Sequence, residues 1–397
     1  MNRQNSGHQS GDPLLDKIRS AMGGLLAYAG KNQGLENTTL DEMLSIFSSV
    51  LCARPDEDWD PPTKAPSEYF DMAIEALQNS GWSCSAETML HVRFEMGKAL
   101  SVLGEWDDAV SYLESVRSAA QEMAERRTEA DALREIGRIE RRREQWKEAL
   151  EKYERSKVIF QEIGDGAGMA SACNCIGAVH FERGELDNAK AQFEDALSIA
   201  SELGDSKLVA QLHNNLAIIA NVRGNHLKAV SLYKKALPAF CEIRDARGIA
   251  EVYHNIGMSY ADMGEWCKAG EFYEKSLKLS RSAGDLELIS NTYLNKVELC
   301  MELNEWASAK VYCAKALEGF TSMGDRLGMA DAYKLLALVV DHQDEWELSK
   351  GYFENSIRIN QDCGCLLNLA ETYRDYGLAC TRRYEIERGS ELLKKSL

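Results

Sequence analysis

A turn motif that returns every forty residues constrains this chain more than any other feature of its sequence. The motif occurs at Gly104-Glu105-Trp106, Glu144-Gln145-Trp146, Gly184-Glu185-Leu186, Gly224-Asn225-His226, Gly264-Glu265-Trp266, Asn304-Glu305-Trp306, Asp344-Glu345-Trp346 and, in a degenerate copy, Tyr384-Glu385-Ile386. A fixed period of this kind is typical of repeat proteins, whose units cannot bury a core alone and must stack. The sequence therefore predicts an extended surface rather than a fold built around one pocket.

Composition limits the compartment and the partners. Of 397 residues, 45% are hydrophobic and 27% are charged, so material for a core is ample. The formal net charge of -17 argues against nonspecific nucleic-acid binding, which depends mostly on Lys and Arg. We find neither an apolar run of about 18 residues nor the apolar segment of a secretory signal near Met1. We expect a cytoplasmic protein without membrane insertion.

Each repeat reads as a helical hairpin, with two apolar stripes at helical spacing, which we call helix A and helix B. A second turn joins one repeat to the next. In the third to seventh repeats it reads Gly164-Asp165, Gly204-Asp205, Arg244-Asp245, Gly284-Asp285 and Gly324-Asp325. Glycine suits the left-handed position that ends a helix, and the following Asp can cap the next helix.

Small residues recur where the two helices of a hairpin must approach closely. Helix A carries Gly97, Gly137, Gly177, Ala217, Gly257, Val297, Ala337 and Gly377. Helix B carries Ala109, Ala149, Ala189, Ala229, Ala269, Ala309, Ser349 and Gly389, each followed four residues later by a residue that is large in most repeats, such as Tyr153 or Phe193. Small against large at one-turn spacing is how packed helices interlock.

This pattern resembles the tetratricopeptide repeat, with a glycine in helix A followed by alanine, an aromatic residue and alanine in helix B. The resemblance covers about residues 85–397, although the period exceeds the family's usual length of about 34 residues. Forty-residue units with a Gly-Asp link are similar to those of kinesin light chains, Leu-Gly-Asn-rich adaptors and bacterial Rap-type regulators. The resemblance implies a right-handed α-solenoid of about eight hairpins, and it implies peptide or protein binding.

Upstream of the repeats the sequence predicts a separate region. Residues 1–12 are polar and expected to be disordered, and residues 13–84 carry helical patterns interrupted by a proline-rich linker at 54–66. We favour a role for these N-terminal helices as a cap, because the end repeat of a solenoid must cover its apolar face. An independent module remains the alternative.

Two neighbouring columns of polar residues on the A helices are the candidate binding site. In the resembling family the A helices line the concave face. The columns supply Asn174, Asn214, Asn215, His254, Asn255 and Asn295. Asparagine both donates and accepts hydrogen bonds, so a ladder of such residues can hold a peptide backbone of any sequence. Passive surface asparagine is the alternative interpretation.

Arginines on the second A helix suggest an anchor at one end of this groove. Arg134, Arg138 and Arg141 share one helical face, together with Arg142. Arginine pairs bidentately with carboxylates, so the partner is expected to carry an acidic segment. The alternative is pairing with Glu135, Glu140 and Glu144. Lys334 and Arg374 are candidates for a second anchor.

Nothing in the sequence indicates an enzyme, a metal site or a cofactor site. The seven histidines are scattered, and the close cysteine pairs at 173/175 and 363/365 lack zinc-site spacing. We interpret the five turn tryptophans as core residues. The predicted function is a noncatalytic adaptor that binds an extended segment of a partner. A peptide-sensing regulator whose N-terminal helices contact an effector, and a structural subunit of a larger assembly, are the alternatives.

Overall fold

The computed structural model describes residues 86–396, and within this range the chain forms sixteen α-helices and no strand. The helices are α1 Ala86–Leu103, α2 Trp106–Glu122, α3 Arg126–Arg142, α4 Trp146–Glu162, α5 Gly166–Glu182, α6 Leu186–Leu203, α7 Ser206–Val222, α8 His226–Glu242, α9 Ala246–Asp262, α10 Trp266–Ala283, α11 Leu286–Glu302, α12 Trp306–Met323, α13 Arg326–His342, α14 Trp346–Cys363, α15 Leu366–Arg382 and α16 Ile386–Lys395. Odd-numbered helices are A helices and even-numbered helices are B helices. The predicted all-α architecture of consecutive helical hairpins is confirmed.

A single left-handed residue breaks the chain between each helix and the next. Glycine fills most of these positions, for example Gly184 with φ 75°. Where the residue is not glycine, as at Tyr384 with φ 65°, the turn keeps the same backbone conformation at a steric cost. The turns are therefore tight throughout, which keeps the period at forty residues.

Aspartates begin the A helices as the sequence predicts. The side chains of Asp165, Asp205, Asp245, Asp285 and Asp325 each accept a hydrogen bond from the backbone N–H three residues later, at 2.9–3.1 Å. Such a cap satisfies one of the free N–H groups of the first helical turn and stabilises a helix by about 1 kcal/mol.

The small and large columns pack the two helices of each hairpin together. Ala149 and Tyr153 are fully buried in α4, and Gly137 in α3 lies directly against the Tyr153 ring. A Cβ atom built on Gly177 in α5 would lie 2.6 Å from the ring of Phe193. The close approach predicted from sequence is confirmed.

The chain divides into two compact units. Unit 1 ends at Leu203 and contains α1 to α6, and unit 2 begins at Gly204 and contains α7 to α16. In each unit, consecutive helices pack side by side around cores of aliphatic and aromatic side chains. The predicted N-terminal regions, 1–12 and 13–84, lie outside the described residues.

The turn tryptophans are half-buried rather than fully enclosed. Trp106, Trp146 and Trp346 pack against the cores of their own hairpins. Each therefore presents part of its ring at the rim of its hairpin.

No helix in residues 86–396 combines the length and the apolar character needed to cross a membrane.

Candidate functional site

The A helices of successive hairpins lie beside one another within each unit. In unit 1, α3 contacts α1 and α5, and in unit 2 contacts link α7 to α9, α9 to α11, α11 to α13 and α13 to α15. Among the described helices, no comparable packing joins successive B helices. One surface of each unit is therefore lined by A helices, and we call it the A-helix face. It carries Arg134, Arg138, Arg141 and Asn174 in unit 1, and Asn214, Asn215, His254, Asn255, Asn295, Lys334 and Arg374 in unit 2.

Two asparagines bond to each other across the A-helix face of unit 2. Asn255 in α9 donates from Nδ2 to Oδ1 of Asn214 in α7, at 3.3 Å, and Asn214 donates to Glu251 at 3.2 Å. Asn214 is buried, whereas Asn215 and Asn255 are half-buried. Asn214 therefore orients its neighbours. Within the described part of the chain, no partner is recorded for the side-chain oxygen of Asn255, which can accept a further hydrogen bond.

His254 holds the next asparagine in the same way. Its Nδ1 lies 2.9 Å from Oγ1 of Thr292, and its Nε2 lies 3.2 Å from Nδ2 of Asn295. Thr292 donates its own proton to the carbonyl of Leu288, so it accepts from Nδ1–H and Nε2 accepts from Asn295. Desolvation lowers the pKa of His254 to about 4, so the imidazole is neutral. The Asn295 amide is thereby oriented, and its oxygen has no partner recorded among residues 86–396.

Carboxylates gather on α9 to α15 of the same face. The pKa of Glu298 is raised, first by desolvation and also by Asp262, Asp331 and Glu371, while Lys334 acts in the opposite direction. Lys334 Nζ lies 2.9 Å from Oε2 of Glu371 and 3.9 Å from Oδ1 of Asp331. Glu298 itself is exposed, and no ion pair within the described range involves it. This part of the face is acidic, and Lys334 already has carboxylate neighbours.

Apolar side chains lie one helical turn beyond the asparagine column. They are Ile218 in α7, Met258 in α9, Leu338 in α13 and Leu378 in α15, and Glu298 occupies the same position in α11. Met258 is 38% exposed and Leu378 is 45% exposed, which is high for such residues. The A-helix face of unit 2 thus combines amides, carboxylates and accessible apolar groups.

The arginines of unit 1 already have partners. Arg134 pairs with Asp131 at 2.7 Å, Arg138 with Glu135 at 2.9 Å, and Arg141 with Glu182 of the next A helix at 2.7 Å. Pairing with Glu135, one of the alternatives left open by the sequence, therefore occurs for Arg138. Arg134 and Arg141 pair instead with Asp131 and Glu182, two acids that the sequence interpretation did not name.

Asn174 in α5, a further predicted residue, is half-buried. Arg374 in α15 is 58% exposed and pairs with the adjacent Asp375 at 3.1 Å. Arg374 can therefore reach a partner at little cost, since exposed ion pairs contribute at most about 1 kcal/mol.

A cavity of about 510 Å³ opens in unit 2 near the C-terminal ends of α11, α13 and α15. Its lining includes Met301, Trp306, Leu338 and Arg382. The Trp306 ring stacks on that of His342, with centroids 3.6 Å apart. Arg382 and Arg383 both pair with the buried Asp341, at 3.1 and 3.0 Å. Both apolar groups and paired charges line the cavity.

The sequence interpretation missed the acidic side of the face, including Glu251, Glu298, Asp331 and Glu371. A positional signal was available. Side chains on adjacent A helices meet at separations of 37 or 41 residues, as in Asn214 with Glu251 and His254 with Asn295. Comparing columns at these separations would have found Lys334 beside Glu371.

The structure was also searched for clusters of metal-binding side chains among the described residues. Between residues 86 and 396 no group of three or more His, Cys, Asp or Glu side chains is arranged to hold a metal ion.

Comparison with known sequences identifies the repeats. Residues 168–242 and 250–282 match models described as tetratricopeptide repeat. The predicted resemblance is confirmed, and these residues match the tetratricopeptide repeat. No curated protein matched the sequence.

Solved structures share the fold at low sequence identity. The apo form of the quorum sensor NprR from B. thuringiensis has a TM-score of 0.64 at 16% identity, covering 91% of this chain and 97% of that one. A Rap protein complexed with Competence and Sporulation Factor has a TM-score of 0.61 at 10% identity, covering 91% and 96%. The Rap conjugation gene regulator of plasmid pLS20, in complex with the Phr* peptide, has a TM-score of 0.55 at 16% identity, covering 88% and 91%. The shared architecture is the tetratricopeptide-type α-solenoid.

Proposed function

We propose that the chain is a noncatalytic adaptor whose A-helix face in unit 2 binds an extended segment of a partner protein or peptide. The observation that supports this most is the pair of oriented amides, Asn255 and Asn295. Each is held by a neighbouring side chain, and each keeps an oxygen that can accept a hydrogen bond. Amides fixed in advance lose less entropy when a ligand binds, which raises affinity.

The spacing of the A helices suits an extended chain. Adjacent packed helices lie roughly 8–10 Å apart, and side chains on one side of an extended peptide recur about every 7 Å. Alternate residues of an extended ligand, whose side chains lie on the same side, can therefore each contact one A helix. Amide hydrogen bonds to the ligand backbone are independent of its sequence, whereas Met258 and Leu378 can receive apolar side chains.

Two further parts of the proposal are the charge of the partner and the cellular compartment. An acidic segment bound to unit 1 would have to displace Asp131, Glu135 or Glu182 from its arginines, of which Arg138 is the most exposed. In unit 2, Arg374 is the more exposed of the two candidate cations. The cysteines within residues 86–396 are free thiols, which favours a reducing compartment such as the cytoplasm.

Selection from a random-peptide phage library on the full chain tests this function. We expect peptides whose binding to purified protein is weakened by the double substitution Asn255→Ala and Asn295→Ala. Asn355→Ala is the matched control, because Asn355 is a half-buried asparagine on the B helix α14 that bonds only locally, to Arg358. Failure to select any peptide, or equal binding by all variants, would refute the proposal.

Peptide-sensing regulation is the second candidate function. The solved structures with similar folds include a quorum sensor and two Rap proteins bound to a signalling factor or a peptide. In this case a bound peptide should alter the N-terminal segment 13–84. Limited proteolysis around Pro61 and Pro62, with and without a selected peptide, separates the two functions, since a simple adaptor predicts unchanged cleavage.

A further inference from the structure

We propose that the segment received by the A-helix face of unit 2 is basic, with an Arg or Lys side chain placed at Glu298 and apolar side chains on either side of it. This inference rests on the proposed function and specifies its ligand. It departs from the acidic partner that the arginines of unit 1 suggest.

The first support is the charge balance around Glu298. This carboxylate in α11 lies near Asp262, Asp331 and Glu371, and Lys334 is the cation that offsets them. Lys334 is bound to Glu371, which leaves Glu298 exposed and without an ion pair in the described structure. Like charges held together destabilise one another, so a cationic side chain at this point relieves repulsion as well as forming new bonds.

The second support is the apolar setting of this charge. Glu298 interrupts a column of apolar residues, with Met258 on the A helix before it and Leu338 and Leu378 on the two A helices after it. An extended ligand running across α9, α11 and α13 would meet an apolar, an acidic and an apolar position in turn. Its complementary pattern on one side is apolar, basic, apolar.

The third support is the hydrogen bonding beside this column. Asn255 and Asn295 lie one turn before Met258 and Glu298 on the same helices, and their recorded bonds leave an acceptor oxygen on each. Backbone N–H groups of the ligand can donate to these oxygens while its side chains reach the next turn. One ligand orientation then satisfies the amides, the carboxylate and the apolar groups together.

The library selection, repeated on wild type, Glu298→Lys and Glu318→Lys, tests this inference. Glu318 lies on the B helix α12, is exposed like Glu298, and has no bond recorded within the described range. Both substitutions change the net charge equally, so any difference between them is local. Glu298→Lys places a cation among carboxylates and is not expected to unfold the protein.

We expect wild-type protein and Glu318→Lys to select peptides with Arg or Lys between apolar residues. A selected peptide should bind Glu298→Lys roughly tenfold or more weakly, which corresponds to the loss of one charge-assisted hydrogen bond. The same peptide with Glu in place of its basic residue should bind Glu298→Lys better than it binds wild type. Glu298→Gln, which keeps the shape of the side chain, should also weaken binding of the basic peptide.

The outcomes separate this inference from the function on which it rests. Selected peptides that depend on Asn255 and Asn295 but lack basic residues would overturn the basic ligand and leave the adaptor function standing. Equal binding of a peptide in which citrulline replaces arginine would do the same. Selection of no peptide by any of the three proteins would overturn both.

Discussion

The A-helix faces of the two units both carry polar and charged side chains, but these side chains are engaged differently. In unit 1, Arg134, Arg138 and Arg141 each form an ion pair with a carboxylate of their own or the next A helix. In unit 2, the amides are oriented by their neighbours and Glu298 keeps its charge unpaired within the described residues. A row of arginines on one helix therefore does not by itself indicate a ligand, because carboxylates on the same or the next helix can already neutralise it.

The first test of this contrast is sensitivity to acid. In unit 2 a residue of the polar columns, His254, should make folding less stable at low pH. The pKa of His254 is lowered by burial to about 4, whereas an unfolded chain binds the proton near pH 6.5. The folded state therefore loses stability as the pH falls from 6.5 to 4, by roughly 3 kcal/mol from this group.

His254→Gln removes the titrating group and should make unfolding less dependent on pH. Denaturant titrations of both proteins at several pH values measure the difference in the free energy of unfolding. The wild-type chain should lose more stability than the variant across this window. Parallel pH profiles would mean that His254 is accessible to protons in the folded state.

The cores of the two units should respond alike, because the contrast lies on the surface. Gly177 in unit 1 and Gly257 in unit 2 each face an aromatic ring, and an added Cβ would lie 2.6 Å from it. Alanine at either position should lower the free energy of unfolding by about 1–2 kcal/mol, since overpacking exceeds the gain in helix propensity.

Gly351→Ala is the control for these two substitutions. Gly351 in α14 is exposed, and a Cβ added there would meet nothing within 4 Å. It should stabilise the protein by about 0.5–1 kcal/mol. Chemical denaturation followed by circular dichroism distinguishes the signs, and stabilisation by all three alanines would contradict the close packing.

The sequence was sufficient for the architecture because the repeat supplies many copies of each signal. Turn glycines, capping aspartates such as Asp165, and columns such as Ala149 with Tyr153 each recur, so single exceptions like Tyr384 do not obscure them. The candidate site could be predicted only in part. Its positions on the A helices follow from periodicity, but its bonding depends on pairs such as Arg141 with Glu182, which belong to different repeats.

A buried lysine also distinguishes unit 2, and repeat logic alone does not predict it. Lys296 in α11 is 6% exposed at a position that other A helices fill with Ile136, Ile256 or Leu336. Its ammonium pairs with Glu274 and lies 4.3 Å from the centre of the Tyr312 ring. Burial acts to lower the pKa of Lys296, but the hydrogen bonds to Glu274 and Tyr312 outweigh it and raise the pKa above its ordinary value.

Lys296→Met should leave the free energy of unfolding unchanged or raise it by about 1 kcal/mol, because a packed apolar side chain replaces a desolvated ion pair. Glu274→Ala should instead lower it by about 1 kcal/mol, since Lys296 loses its carboxylate. The raised pKa means that this contribution is present at neutral pH and is lost as the pH rises through the strongly alkaline range. Equal destabilisation by both changes would show that the pair is required for folding.

The smallest expected effect concerns Glu298 in the absence of ligand. Desolvation and the acids around it raise the pKa of this carboxyl, so its charged form opposes folding. A raised carboxyl pKa makes the folded state hold its proton more tightly than the unfolded state, and stability therefore falls as the pH rises through that pKa.

Glu298→Gln should raise the free energy of unfolding at neutral pH by less than about 1 kcal/mol. The difference should vanish on acidification, when Glu298 is neutral as well. Denaturation curves at neutral and acidic pH measure it, with Glu318→Gln on α12 as the control. A Glu298 that proves stabilising would mean that it already has a cationic partner, and the contrast between the two faces would then disappear.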